Sequence, residues 1–193
     1  MCEGIHEFGS LAGAEINHAG QMAANRYSRE VPLAPSHFPV VTHDPVQARA
    51  MDLSDIRKLR KWHREAALRA KKARFDIVYV YAGHQLSTIS HFLSPYRNRR
   101  SDEYGGSLKN RARLLCEVLS DTKDAVGHTC AVALRFAVDE LLGNLGFTST
   151  GEGHDLIEML AEEPDLWDVN LSSWENDSAT SRFKQSGFQD DYV

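Results

Sequence analysis

No apolar run in this chain approaches the roughly 20 residues that a helix needs to cross a bilayer. Its opening residues, Met1 to Phe8, have neither the basic start nor the apolar stretch of a secretion signal. Basic charge is in deficit: 22 Lys and Arg against 27 Asp and Glu give a formal net charge of -5, which removes the electrostatic case for nucleic acid or an anionic membrane as partner. Cysteine is scarce. Cys2, Cys116 and Cys130 lack the paired spacing of a zinc site or an iron–sulfur cluster, so the expectation is no metal, no disulfide and a reducing, cytoplasmic setting. No G-x-G-x-x-G follows a strand pattern and no G-x-x-x-x-G-K-[ST] occurs, so neither a doubly wound nucleotide fold nor a P-loop fold is indicated. Low-complexity and disordered composition are absent too. With 42% hydrophobic and 25% charged residues, 193 residues suit one domain with a core of its own.

What is present centres on Phe75 to Arg113. The run F-D-I-V-Y-V-Y-A-G-H is apolar and β-rich and ends in two proton-exchanging side chains, Tyr81 and His84. If Ile77 to Val80 form a parallel strand buried on both faces, that pair emerges at its carboxyl end, where α/β folds place their chemistry. A loop rich in charge and glycine leads to a helix from Ser107. Its apolar positions are Leu108, Ala112, Leu115, Leu119, Thr122 and Val126, and Gly127 offers the stop.

Upstream, residues 1–12 read as the tail of a helix, and a short strand centres on Glu15 to Asn17, with His18 and Gln21 just past it. Residues 22–50, with prolines at 32, 35, 39 and 45, read as loop; Arg26, Arg29, His37 and His43 are taken as solvated rather than ligand-facing. A helix follows, capped by Asp52 or Ser54, with Ile56, Leu59, Trp62, Ala66, Ala70 and Ala73 as its packing face and a basic outer face read as solvated. The third strand, Cys130 to Phe136, alternates Val132, Leu134 and Phe136 against Ala131, Ala133 and Arg135. A guanidinium on a buried strand needs an anion or several acceptors. An electron-rich ligand, Asp139 or Glu140 just beyond, or a purely structural salt bridge would each meet that need. A short helix, Asp155 to Glu162, packs through Leu156, Met159 and Leu160, and the fourth strand, Asp165 to Leu171, delivers Trp174 and Asp177 past its carboxyl end.

Four strands with helices between them predict an α/β fold, and polar groups at every strand end favour part of a (β/α)8 barrel over a doubly wound sheet. Eight strands close a barrel, and four do not.

The segments E-I-N-H-A-G-Q, D-I-V-Y-V-Y-A-G-H, R-S-D-E-Y-G-G-S-L-K-N-R-A-R-L-L, A-V-A-L-R-F-A-V-D-E and W-D-V-N-L-S-S-W-E-N-D-S, followed by S-R-F, resemble the FMN-binding barrel of the Old Yellow Enzyme family. Within it they are most similar to the trimethylamine, dimethylamine and histamine dehydrogenase branch. The resemblance implies that residues 1–193 form an incomplete FMN-binding barrel, about strands three to six with their helices, in which hydride passes from a small alkylamine to flavin. It makes Tyr81 and His84 the Tyr-x-x-His pair of the amine dehydrogenases, with Asp177 as the acid that orients His84. It places Glu15, His18 and Arg135 at the flavin, Arg135 towards its pyrimidine side, and Trp174 as an aromatic wall for an alkylammonium group.

The same resemblance implies departures. The chain would lack the first strand, the phosphate-holding loops after strands seven and eight, and the cysteine cluster of a [4Fe-4S] centre. Two other readings stand beside the first. One is an NAD(P)H-dependent flavin oxidoreductase or ene-reductase acting on an enone. The other is a truncated, non-catalytic product or a half-barrel that assembles with a second chain, for instance as a homo-oligomer.

Overall fold

The computed structural model describes residues 1–23, 28–40 and 46–171. The chain opens with α1 (Cys2–His6) and β1 (Gly13–Ile16), then passes through three short strands, β2 (Leu33–Ala34), β3 (Phe38–Val40) and β4 (Val46–Ala50). There follow α2 (Leu53–Lys72), β5 (Ile77–Ala82), α3 (Thr88–Leu93), α4 (Leu108–Val126), β6 (Ala131–Asp139), α5 (Glu152–Leu160) and β7 (Leu166–Leu171). The main sheet runs β1-β5-β6-β7 with every pair parallel, so each strand returns beside its predecessor after a helical crossover. Among the described residues β1 and β7 each have one strand neighbour, and the sheet is an open part of a (β/α)8 barrel. No described helix is long and apolar enough to cross a membrane.

Both long helices start where the sequence places a cap. Asp52 accepts from the Asp55 amide at 2.8 Å, while the Asp55 carboxylate accepts from the Asp52 amide at 3.0 Å and pairs with Arg49. Ser107 caps α4, and Gly127, at φ 59°, ends it. Val78, Val80, Val132, Leu134 and Phe136 bury one sheet face under α2 and α4, against Leu59, Leu115 and Leu119. The glycine-rich signature between α3 and α4 serves this packing. Asn98 donates to the carbonyls of Phe92 and Tyr104, both at 2.7 Å, and Arg100 ties Asp102 to the Pro35 and Met51 carbonyls. A side chain on Gly105 would stand 2.3 Å from the Arg100 carbonyl oxygen.

Three expectations fail. Residues 22–50 are not loop throughout: β4 pairs in parallel with β2 and antiparallel with β3. Pro39 sits on the edge strand β3, where its missing N–H leaves no gap in the ladder. On α2 the buried stripe runs Ile56, Leu59, His63, Ala67, Ala70, so Trp62 turns outward and is 48% exposed. The physical reason is the partner on α4. Thr122 donates its hydroxyl proton to the Val118 carbonyl at 2.6 Å and receives the His63 Nδ1–H at 3.3 Å, which draws His63 inward. On α5 the packing residues are Gly153, Leu156 and Leu160, while Met159 is exposed.

Candidate active site at the strand carboxyl ends

Parallel register sets side chains from neighbouring strands level with one another. Tyr81 lies opposite Arg135, and Arg135 opposite Asp168, so β5, β6 and β7 present a phenol, a guanidinium and a carboxylate in one row. Glu15 on β1 is level with Tyr79, two residues below Tyr81 and on the same face. Arg135 reaches across the sheet: Nη1 donates to Glu15 at 3.2 Å, Nε lies 3.5 Å from Asp168, and its guanidinium carbon stands 5.7 Å from the Tyr81 ring centroid. Its partners are therefore Glu15 and Asp168, not Asp139 or Glu140. Nor is it buried, since 37% of its side chain is exposed. Lateral register, which sequence neighbourhood does not reveal, selects the partners.

Tyr81 Oη and His84 Nδ1 are 2.8 Å apart. Burial first, then the Glu15 carboxylate, pushes the Tyr81 phenol up to about 12, with Arg135 opposing and Asp168 adding to the rise. A phenol that keeps its proton at neutral pH donates to Nδ1, which fixes the imidazole face presented to a ligand. Gly83 permits this arrangement. A Cβ there would lie 3.1 Å from the Tyr81 ring and 3.0 Å from the Asn170 side-chain amide.

His18 makes its contacts elsewhere: Nδ1 is 2.8 Å from Thr88 Oγ1, and its ring stacks on Trp62 at 6.0 Å and 20°. Burial holds its pKa below the ordinary imidazole value. It lines a cavity of about 200 Å³ with Ile16, Leu59, Trp62 and Ile89, between β1, α2 and α3. The structure thus brings together Tyr81, His84, Arg135 and Glu15 and sets His18 in a separate cleft. Asp177 and Trp174 lie outside the described residues, as do Arg26 and His43.

Asp168 is a site residue that sequence reasoning missed, although strand parity carries the signal: it shares a face with Asn170 and alternates with Trp167 and Val169. Asn170 is 8% exposed, and neither atom of its amide has a hydrogen-bond partner; Arg135 Nε makes no hydrogen bond either. Polar atoms with unmet hydrogen-bonding capacity beside Gly83, Ala133 and Ala137 fit a flat ligand with polar edges.

The family model for the NADH:flavin oxidoreductase / NADH oxidase family matches residues 1–189. The chain belongs to this family. Dimethylamine dehydrogenase of Hyphomicrobium sp. (strain x) is 36% identical over 202 residues, covering 100% of this chain and 27% of that protein. Two solved structures superpose over 100% of the chain: 6-hydroxypseudooxynicotine amine oxidase of Pseudomonas geniculata N1 (TM-score 0.93, 48% identity) and histamine dehydrogenase of Rhizobium sp. 4-9 (TM-score 0.92, 46% identity). The chain spans 29% and 28% of those two. Family membership points to FMN as cofactor, and Arg135 Nε, which makes no hydrogen bond, and the unbonded Asn170 amide are atoms of this chain that suit the polar edge of such a ring.

Proposed function

We propose that this chain carries the proton-handling and charge-balancing part of an FMN-dependent oxidoreductase that oxidises a small alkylamine in a reducing, cytoplasmic setting. The observation that carries the reading is the 2.8 Å Tyr81–His84 contact beside Arg135, at the strand ends of a flavin-family sheet. FMN, when bound, supplies the hydride acceptor. Arg135 and Asn170 are the residues that would hold the ring. Glu15 and Asp168 outnumber Arg135, so the site is net negative and favours approach of an alkylammonium ion. Tyr81 would take the proton from the substrate nitrogen as its own hydroxyl proton passes to His84 Nδ1, with Asp177 as the acid to orient the imidazole, because a neutral amine surrenders hydride far more readily than its ammonium form. Trp174 would face the alkyl groups.

Two measurements test this. Titrating the full chain with FMN and following the flavin absorption is expected to give saturable binding near one per chain, weakened in Arg135→Ala; the absence of any bound flavin sinks the cofactor assignment. Reduction of bound FMN by dimethylamine across a pH series is expected to change its profile in His84→Ala. An identical profile in the two proteins removes the role given to the histidine.

A further inference from the structure

Two adjacent residues after β5 hold a backbone that side-chain-bearing residues rarely adopt: His84 at φ 54° and Gln85 at φ 55°. The Leu86 amide donates to the Gly83 carbonyl at 3.2 Å, closing a tight turn with both central residues left-handed. Such turns favour Asn and Gly, since a Cβ in the left-handed region crowds the following carbonyl oxygen. His and Gln persist only if their surroundings hold them.

Gln85 provides that hold. It is 3% exposed, although it occupies a turn. Its side-chain amide donates to Glu140 Oε1 and, at 3.4 Å, to the Ser90 carbonyl, while its backbone carbonyl lies 2.7 Å from His91 Nε2. Glu140, just beyond β6, is 1% exposed. Its second oxygen accepts from the Phe147 amide at 3.0 Å, and its own amide donates to the Phe147 carbonyl at 3.2 Å. A side chain on Gly146 would stand 2.6 Å from that carboxylate. Glu140 is thus fixed by the loop after β6 and in turn fixes the turn after β5.

We propose that Glu140 is a positioning residue: through Gln85 it holds the left-handed turn that aims the His84 imidazole at the Tyr81 hydroxyl. Donors from Gln85 and from the loop after β6 converge on its two oxygens, so it serves them fully only when ionised. Burial pushes its pKa up to about 7, against the pull of the Ser94 hydroxyl, the Phe147 amide and the Arg97 and Arg111 guanidinium groups; His91, driven to about 3 by burial, adds no charge. Acidification therefore weakens the clamp. The consequence for catalysis rests on the role proposed above for Tyr81 and His84, but the positioning itself is measurable without turnover.

The test is the side-chain nitrogen spectrum of the full chain labelled with 15N-histidine, with the His84 signal assigned by its loss in His84→Ala. Tyr81→Phe defines the spectrum of an unbonded Nδ1. In Gln85→Ala and in Glu140→Ala the His84 signal is expected to move to the Tyr81→Phe position, while His63 on α2 stays in place. Glu140→Gln, keeping one acceptor oxygen where the carboxylate has two, is expected to fall between them. If Glu140→Ala does not fold, Gln85→Ala decides. A wild-type His84 signal in folded Gln85→Ala overturns the proposal, and so does a joint shift of His84 and His63, which marks general loosening. A His84 signal that moves as expected alongside an unchanged pH profile of flavin reduction would leave the positioning intact and remove only the catalytic reading.

Discussion

Replacing His63 with leucine tests whether the α2–α4 interface buries a neutral imidazole. His63 is 7% exposed, and its Nε2 has no hydrogen-bond partner. Burial holds its pKa down to about 4 from 6.5, with Asp121 only partly opposing. As the pH falls through 6.5 the unfolded chain takes up a proton that the folded chain refuses until about pH 4, so the stability present above 6.5 is lost over that window. The gap corresponds to roughly 3 kcal/mol. Leucine carries no such linkage and leaves no orphan at Thr122, whose hydroxyl still donates to Val118. Urea unfolding of both proteins at steps from neutral pH to about pH 4 should show His63→Leu gaining on wild type by roughly 3 kcal/mol. Stability curves that stay parallel within about 1 kcal/mol would refute the buried-imidazole argument.

Glu140→Gln should show the opposite linkage. The folded carboxyl lies near 7 and the unfolded one near 4.5, so wild type loses stability relative to the variant as pH rises across that range, by roughly 3 kcal/mol, and the same urea series reads it. Gly153→Ala would set a Cβ 2.1 Å from the Val138 carbonyl oxygen and 2.7 Å from that of Thr148, both backbone; thermal unfolding should register a loss on the order of 3 kcal/mol, and an unchanged midpoint would contradict the contact. Asp52→Ala removes the capping box of α2 and should cost about 1 kcal/mol. Amide exchange should speed up in the first turn of α2 and not at its carboxyl end.

Local chemistry was legible wherever a residue acts on its own neighbours. Asp52, Ser107 and Gly127 bound the long helices as their side chains or backbone freedom dictate, and strand order followed from apolar runs spaced by helical periods. The sequence already set Tyr81 and His84 at one strand end, the family resemblance implied their pairing, and the 2.8 Å contact agrees. The stripe on α2 was misjudged because positions 62 and 63 fit helical spacing equally well, and only Thr122 on α4 chooses between them. Strands β2 to β4 were not legible because each is short, prolines at 32, 35, 39 and 45 punctuate the segment, and the strands gain their regularity only from pairing.

The sequence by itself determined that helices alternate with buried parallel strands and that a phenol and an imidazole both emerge where β5 ends, because caps, periodicity and short spacing are local. Tertiary structure alone decided that Arg135 is held by Glu15, 120 residues away, and by Asp168 on the adjacent strand, and that Glu140 reaches Gln85 beneath His84. Those contacts depend on the lateral register of strands and on which loop folds under which, and no residue encodes that without its distant partner.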